Sequence, residues 1–215
     1  MSSDVAVLFD LDGVIVDSRE YHVAAWERWA RDEGVDHDPG YFTKMFGLRN
    51  DAIIGGLQPG LPSDELQRLA GRKEALFREL ARGNLTPLPG VLGLLDALDA
   101  RGAPKAVVTS TPRANLEMVL QTLGIAGRFQ ALVAEEDASK GKPDPEGFLV
   151  AAARLGVQPP RCVVIEDAPA GLQAAKAAGM RAIGITTTHP ASALSDSGLI
   201  VDTLAGDGVL PFILG

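Results

Sequence analysis

The chain has little of what several large classes of protein require. Its 215 residues include one cysteine, Cys162, which excludes an intrachain disulfide framework and leads us to expect a reducing, cytoplasmic setting. No apolar run approaches the ~20 residues of a membrane span, and the N-terminus shows no signal-peptide pattern. The three histidines, His22, His37 and His189, are scattered and lack the spacing of zinc ligands.

Positive charge is scarce as well. The chain has 20 Lys and Arg against 28 Asp and Glu, which gives a formal net charge of -8. Because phosphate backbones recruit basic surfaces, we do not expect nucleic acid as a partner. The hydrophobic content of 46% is ordinary for a globular protein. We expect a monomer that binds a small molecule and no membrane.

The most informative stretch begins with the apolar run 5–9 and continues into Asp10, Asp12 and Gly13. The run is rich in β-branched residues, which predicts a strand buried on both faces. In open α/β sheets, ligands bind at the carboxyl ends of the strands. Two carboxylates this close repel each other unless positive charge lies between them. We therefore expect a metal ion, a lysine or both at this point of the fold.

Residues 17–86 have helical periodicity throughout. One helix is predicted to end near Gly34, and a long helix is predicted to begin with Ser63 as its N-cap. His22 and Lys73 each lie in the middle of an apolar stripe, where a polar side chain is out of pattern. Either residue could lie at the edge of the core, with the Lys73 stem packed on apolar surface, or reach into a cleft. The sequence leaves both alternatives open.

Strands and helices alternate after residue 86, which predicts a doubly wound, parallel α/β sheet. About six strands are predicted. Five of them follow the first strand and are expected at 106–109, 131–134, 162–165, 181–185 and 199–201. Right-handed crossovers bring all the strand ends to one edge of the sheet. The predicted organisation is an α/β core, residues 1–16 and 87–215, with an all-helical cap, residues 17–86, inserted after the first strand.

The ends of these strands carry complementary chemistry. The second predicted strand ends in Thr109 and Ser110, whose hydroxyl and N–H groups are suited to phosphate oxygens. The fourth ends in Glu166 and Asp167, which together with the first pair of acids form an oxygen-only site suited to Mg²⁺. Lys142 follows the third strand and could balance the acids. Such a set favours phosphoryl transfer, which depends on positioning and charge neutralisation.

Four segments resemble, in order, the four signatures of the haloacid dehalogenase-like hydrolases. They are residues 10–18, 107–109, 142–145 and 166–171. The resemblance covers nearly the whole chain, and four signatures in order are far more specific than any one alone. The helical insert resembles the small cap of the branch that contains β-phosphoglucomutase and phosphoglycolate-type phosphatases.

The resemblance implies roles for the core residues. Asp10 would be the nucleophile that forms an aspartyl-phosphate, and Asp12 would be the general acid and then the general base. Dehalogenase members lack the second aspartate, so halide chemistry is not expected. Mg²⁺ would be bound by Asp10, the Asp12 carbonyl and Asp167, with Glu166 as a direct or water-mediated ligand. The remaining roles are phosphoryl binding by Thr109 and the Ser110 N–H, and orientation of the nucleophile by Lys142.

The cap is expected to choose the substrate. Residues 20–26 resemble the first cap helix of β-phosphoglucomutase, and Lys73 falls on the substrate-facing lysine of that enzyme. His22, Trp26, Arg49 and Lys73 are therefore the candidate substrate-binding residues.

Two departures from the mutase pattern favour a phosphatase. Arg49 lies one place early in the phosphate-binding loop, and residues 111–113 differ from the small polar run expected there. We therefore expect a Mg²⁺-dependent phosphatase of a small phosphorylated metabolite such as a sugar phosphate. A β-phosphoglucomutase-type mutase is the alternative. A catalytically silent binding protein on the same fold is a third hypothesis, which the complete set of acids and lysine disfavours.

Overall fold

The computed structural model describes residues 5–215, which form two compact units. One unit combines the residues up to Asp17 with Thr86–Gly215, and the other is Ser18–Leu85. Within the described part of the chain, no helix is both long and apolar enough to cross a membrane. That the second unit serves as a cap domain, with the bounds 17–86, remains a prediction.

The second unit is helical. Its helices are α1 (Arg19–Glu33), α2 (Tyr41–Lys44), α3 (Asn50–Leu57) and α4 (Ser63–Ala81). Helix α1 packs mainly on α4. It ends as predicted at Gly34, whose left-handed φ of 68° directs its N–H to the Ala30 carbonyl. The predicted cap of the long helix is displaced by one residue: Pro62 is the N-cap and Ser63 is already helical, because the extended backbone stops at the proline.

The first unit is built on a six-stranded parallel sheet, in the order β3-β2-β1-β4-β5-β6. The strands are β1 (Ala6–Phe9), β2 (Lys105–Val108), β3 (Ala131–Val133), β4 (Cys162–Glu166), β5 (Arg181–Ile185) and β6 (Leu199–Val201). This arrangement confirms the predicted α/β class. The strand order reverses at β1, so the end of β1 lies at the switch point where open sheets bind ligands.

Helices precede, connect and follow the strands of this unit. They are α5 (Val91–Asp99), α6 (Arg113–Thr122), α7 (Glu146–Leu155), α8 (Pro169–Ala177) and α9 (Val209–Leu214). All residues of β1, β2 and β4 are buried, which fits their largely apolar composition and coverage on both faces of the sheet. The apolar C-terminal tail forms α9, which packs near β6 and buries Val209 and Ile213.

Candidate active site

The central strand delivers Asp10 into the carboxyl edge of the sheet. Phe9 is in register with Val107 of β2 and with Ile165 of β4, so the three strands end at the same level. The Asp10 N–H continues the ladder by donating to the Ile165 carbonyl at 3.0 Å. The residue is only 7% exposed, which places a carboxylate in surroundings where charge is poorly solvated.

Lys142 lies between two of the acids. Its Nζ atom is 2.5 Å from Asp10 Oδ1 and 2.5 Å from Glu166 Oε1. The other Glu166 oxygen accepts hydrogen bonds from the N–H groups of Asp167 and Ala168, both at 3.0 Å. Glu166 therefore joins the lysine to the turn that begins α8. A Cβ at Gly171 would come within 1.9 Å of Glu166 Oε1, so this glycine makes room for the carboxylate.

The acids outnumber the lysine. Asp10, Glu166 and Asp167 can each offer an oxygen such that these atoms lie within 4.8 Å of one another. Burial and the neighbouring acids raise the pKa of Asp10 well above its usual range, although Lys142 opposes the shift. Burial and Glu166 likewise raise the pKa of Asp167 to about 7. Burial lowers the pKa of Lys142, but its two carboxylate partners outweigh this and raise it overall.

This imbalance is suited to a bound cation. Three buried carboxylates with one ammonium leave excess negative charge, and the donors are all oxygens, the ligands that hard divalent ions such as Mg²⁺ prefer. The residues therefore fit the predicted metal site. The role of each predicted ligand, Asp10, Asp12, Glu166 and Asp167, remains a proposal.

Asp12 is held by a residue whose role sequence reasoning missed. The Thr111 hydroxyl donates to Asp12 Oδ2 at 2.8 Å. The Thr111 N–H donates to the Thr109 hydroxyl at 3.1 Å, so the loop after β2 is folded by a local side-chain turn. Thr109 itself is buried, whereas Ser110 is exposed. A hydroxyl residue two places after Thr109 was the available signal in the sequence.

The loop after β5 also reaches the acids, and sequence reasoning missed it as well. Thr188 donates to the Asp167 carboxylate, and Thr187 donates to the Gly13 carbonyl. Gly13 has a φ of 79°, and a Cβ there would come within 2.1 Å of Asp167 Oδ2. Glycine is therefore required both by the backbone and by the carboxylate. The signal in the sequence was a run of threonines directly after the predicted strand 181–185.

Two of the four candidate substrate residues of the helical unit lie in one cluster. Lys73 Nζ is 2.8 Å from His22 Nδ1 and 2.8 Å from Glu74 Oε1. The same Glu74 oxygen accepts from Asn50 at 2.8 Å. The His22 ring stacks on Phe77, with centroids 3.9 Å apart. The ammonium group can only donate, so Nδ1 of His22 accepts.

The other two candidates differ in exposure. Trp26 is buried; it stacks on Phe42 with centroids 5.3 Å apart and meets Trp29 edge-on. Arg49 is exposed as the N-cap residue of α3 and lies 3.5 Å from Asp51. Arg49 thus offers an accessible cation, and Trp26 contributes to the core of its own unit.

Several known proteins are similar in sequence to this chain over most of its length. A family profile described as haloacid dehalogenase-like hydrolase matches residues 5–179 of the chain. Validoxylamine A 7'-phosphate phosphatase from Streptomyces hygroscopicus subsp. limoneus is 36% identical over 205 residues, which cover 92% of each chain. β-Phosphoglucomutase from Bacillus subtilis is 38% identical over 194 residues, which cover 86% of this chain and 84% of that protein.

A solved structure agrees in fold. The crystal structure of β-phosphoglucomutase from Clostridium difficile matches with a TM-score of 0.84 at 28% identity, covering 100% of this chain and 97% of that chain. The chain belongs to the haloacid dehalogenase-like hydrolases, as its four signatures predicted.

Proposed function

We propose that the chain is a Mg²⁺-dependent phosphatase that hydrolyses a small phosphorylated metabolite, most simply a sugar phosphate. The observation that carries the proposal is the buried Asp10 carboxylate at the sheet switch point, bound by Lys142 and followed two residues later by Asp12. A nucleophile and a separate acid–base group are what a two-step phosphoryl transfer requires.

In the first step, an Asp10 oxygen attacks phosphorus while the bond to the leaving oxygen breaks and Asp12 donates a proton to that oxygen. In the second step, Asp12 takes a proton from water as the water oxygen attacks the aspartyl-phosphate, which releases phosphate and restores Asp10. The Thr111 hydroxyl donates a hydrogen bond to Asp12 Oδ2, which orients the carboxyl group. The Thr109 hydroxyl and the Ser110 N–H donate to the phosphoryl oxygens.

The cluster would hold Mg²⁺ through the Asp10 and Asp167 carboxylates, the Asp12 carbonyl and Glu166, directly or through water. When bound, the ion offsets the charge of the phosphoryl group and of the acids. Lys142 keeps Asp10 in place and neutralises part of this charge. In the helical unit, His22, Trp26, Arg49 and Lys73 remain the candidates for contacting the rest of the substrate, and exposed Arg49 is best suited to an anionic group.

The relatives support a phosphorylated carbohydrate as substrate, and they also support a second candidate function. One relative is named as the phosphatase of a 7'-phosphate, and another as a phosphoglucomutase at 38% identity. A mutase returns the phosphoryl group to the sugar, whereas a phosphatase must admit water to the intermediate. The two departures at Arg49 and at residues 111–113 favour the phosphatase.

An assay with Mg²⁺ separates these functions. We expect phosphate release from p-nitrophenyl phosphate and from several members of a sugar phosphate panel, with loss of release after chelation by EDTA. Isomerisation of β-glucose 1-phosphate that is stimulated by the bisphosphate, with little phosphate release, would show a mutase instead. Absence of Mg²⁺-dependent turnover on every phosphoester would favour a catalytically silent binding protein.

A further inference from the structure

The loop after β5 presents three successive threonines with different partners. Thr186 donates to Asp202 at 2.7 Å, away from the acid cluster. Thr187 donates to the Gly13 carbonyl, and Thr188 donates to Asp167 Oδ2. Two of the three hydroxyls therefore tie this loop to the loops that follow β1 and β4.

His189 contacts both the Thr188 hydroxyl and the backbone of Asp167. Its Nδ1 atom lies 2.9 Å from Thr188 Oγ1 and 3.0 Å from the Asp167 carbonyl oxygen. The carbonyl can only accept, and the single hydroxyl hydrogen of Thr188 is directed at the Asp167 carboxylate. Nδ1 must therefore carry the hydrogen. The result is a chain of hydrogen bonds from His189 through Thr188 to Asp167.

The Asp167 carboxylate also lies close to the backbone of Gly13. A Cβ at Gly13 would lie 2.1 Å from Asp167 Oδ2 and 3.0 Å from Thr188 Cγ2. The same carboxylate oxygen thus contacts the Thr188 hydroxyl and lies close to the bare backbone of Gly13. Asp10 and Glu166 both repel it, so without an anchor it would be free to turn away from them.

We propose that Thr188 is a positioning residue that holds the Asp167 carboxylate in the orientation in which it can bind a divalent cation. The inference rests on the metal site of the proposed function. Hydrogen-bond partners of metal ligands orient those ligands, and their loss typically lowers metal affinity by about 10- to 100-fold. The hydroxyl, rather than the bulk of the side chain, is what this role requires.

The test measures cation binding directly and needs no turnover. Mn²⁺ prefers the same oxygen donors as Mg²⁺, and its free concentration can be followed by electron paramagnetic resonance during titration of the metal-free protein. We expect Thr188→Val, which removes the hydroxyl but keeps the shape, to weaken binding by about 10- to 100-fold. Thr188→Ser, which keeps the hydroxyl, is expected to restore binding to within about threefold of the unchanged protein.

Two controls make the result specific. Thr186→Val removes a hydroxyl of the same loop that donates to Asp202 and not to Asp10, Glu166 or Asp167, and this variant is expected to bind Mn²⁺ as the unchanged protein does. Asp167→Asn removes the anchored carboxylate itself and is expected to lose binding. Circular dichroism verifies that each variant is folded, and Thr188→Ala replaces Thr188→Val if the valine variant does not fold.

The outcomes distinguish this inference from the proposed function. If Asp167→Asn loses binding but the hydroxyl-free variants at Thr188 bind normally, the positioning role is wrong and the metal site stands. Equal weakening by Thr186→Val and Thr188→Val would also overturn the role, because the loop as a whole would then be responsible. If the unchanged protein does not bind Mn²⁺, the proposed metal site fails and the inference fails with it.

Discussion

The two compact units each bury a charged cluster, and the clusters differ in their balance. In the α/β unit, Glu166 is 1% exposed and Asp167 is 4% exposed. In the helical unit, Lys73 is 2% exposed and Glu74 is 5% exposed. Burial alone therefore does not distinguish the clusters. What differs is the number of acids for each base.

The helical cluster is nearly neutral. Burial raises the pKa of Glu74, but the charge of Lys73 and the hydrogen bonds from Lys73 and Asn50 oppose this effect, and the pKa is held below its usual value. The ammonium of Lys73 also lies 5.1 Å from the centre of the Trp26 ring, a favourable cation–π contact. The charge of this cluster is satisfied by the Lys73–Glu74 pair.

The cluster at the end of β1 is not satisfied in this way. Burial and mutual repulsion raise the pKa of Asp10 and of Asp167, in the opposite direction to Glu74. Structural ion pairs tend to lower the pKa of their acids, whereas crowded acids in a cleft tend to mark a functional site. The comparison teaches that charge imbalance, more than burial, identifies the site of chemistry in this chain.

The largest expected effect comes from Asp10→Asn. An amide cannot serve as the nucleophile, so phosphate release should fall by more than about 1,000-fold. The fold should persist, because the substitution removes one of the mutually repelling acids; we expect the metal-free thermal midpoint to be no lower than that of the unchanged protein. Asp96→Asn, which alters an exposed acid paired with Arg128, is the matched control and should retain activity. Substantial residual turnover of Asp10→Asn would refute the assigned nucleophile.

The same acid-to-amide change should act oppositely in the helical cluster. Glu74→Gln leaves the Lys73 ammonium buried without a full counter-charge, and we expect the free energy of unfolding to fall by about 3 kcal/mol. Chemical denaturation measures this. Glu79→Gln breaks an exposed pair with Arg28 at 2.9 Å and should change stability by less than about 1 kcal/mol. Equal stabilities of the two variants would show that the balance of the helical cluster does not matter.

The loss of stability in Glu74→Gln should depend on pH, which tests the charge balance of the helical cluster further. The pKa of Glu74 is lowered in the folded protein, so its contribution to stability is fully present above 4.5, the ordinary pKa of a glutamate, and is lost as the pH falls through the folded pKa. The difference in unfolding free energy between the unchanged protein and Glu74→Gln should therefore be constant at neutral pH and shrink below 4.5. Denaturation curves at several pH values measure this difference. A difference that grows on acidification would contradict the expectation.

The smallest effect is expected from Thr111→Val. Loss of the hydrogen bond to Asp12 should lower kcat by about tenfold, equivalent to about 1.4 kcal/mol, with little change in KM, because the acid–base group is less well oriented. Steady-state kinetics on the best substrate of the panel measures both constants. Thr111→Ser keeps the hydroxyl and should recover most of kcat. A valine variant with normal kcat, or a serine variant without recovery, would contradict this role.

Much of the fold could be predicted because the strands of a parallel sheet are rich in apolar residues. The runs at β5 and β6 were predicted with the bounds that the structure has. Strand β2 instead begins one residue early, at Lys105, whose charge breaks the apolar pattern. Lys105 is buried because its ammonium reaches Asp99, a partner outside the strand that periodicity does not reveal.

The candidate site was predictable in part for a similar reason. Parallel strands joined by right-handed crossovers must end at one edge, so the acids after β1 and β4 had to come together. The contacts of Thr111 and Thr188 were not predictable, because they depend on side-chain directions in loops. The alternatives for His22 and Lys73 also stayed open, since a helical stripe does not reveal which polar groups meet.

The sequence by itself determined the α/β class, the family and the placement of two acids at the end of the central strand, because these follow from periodicity, chain order and local spacing. Only the tertiary structure decided how the charges are distributed. It placed Lys142 between Asp10 and Glu166, and it directed Thr188 to Asp167. Contacts between residues distant in the chain set these pairings, and the pairings set which acids are stabilised and which remain under repulsion.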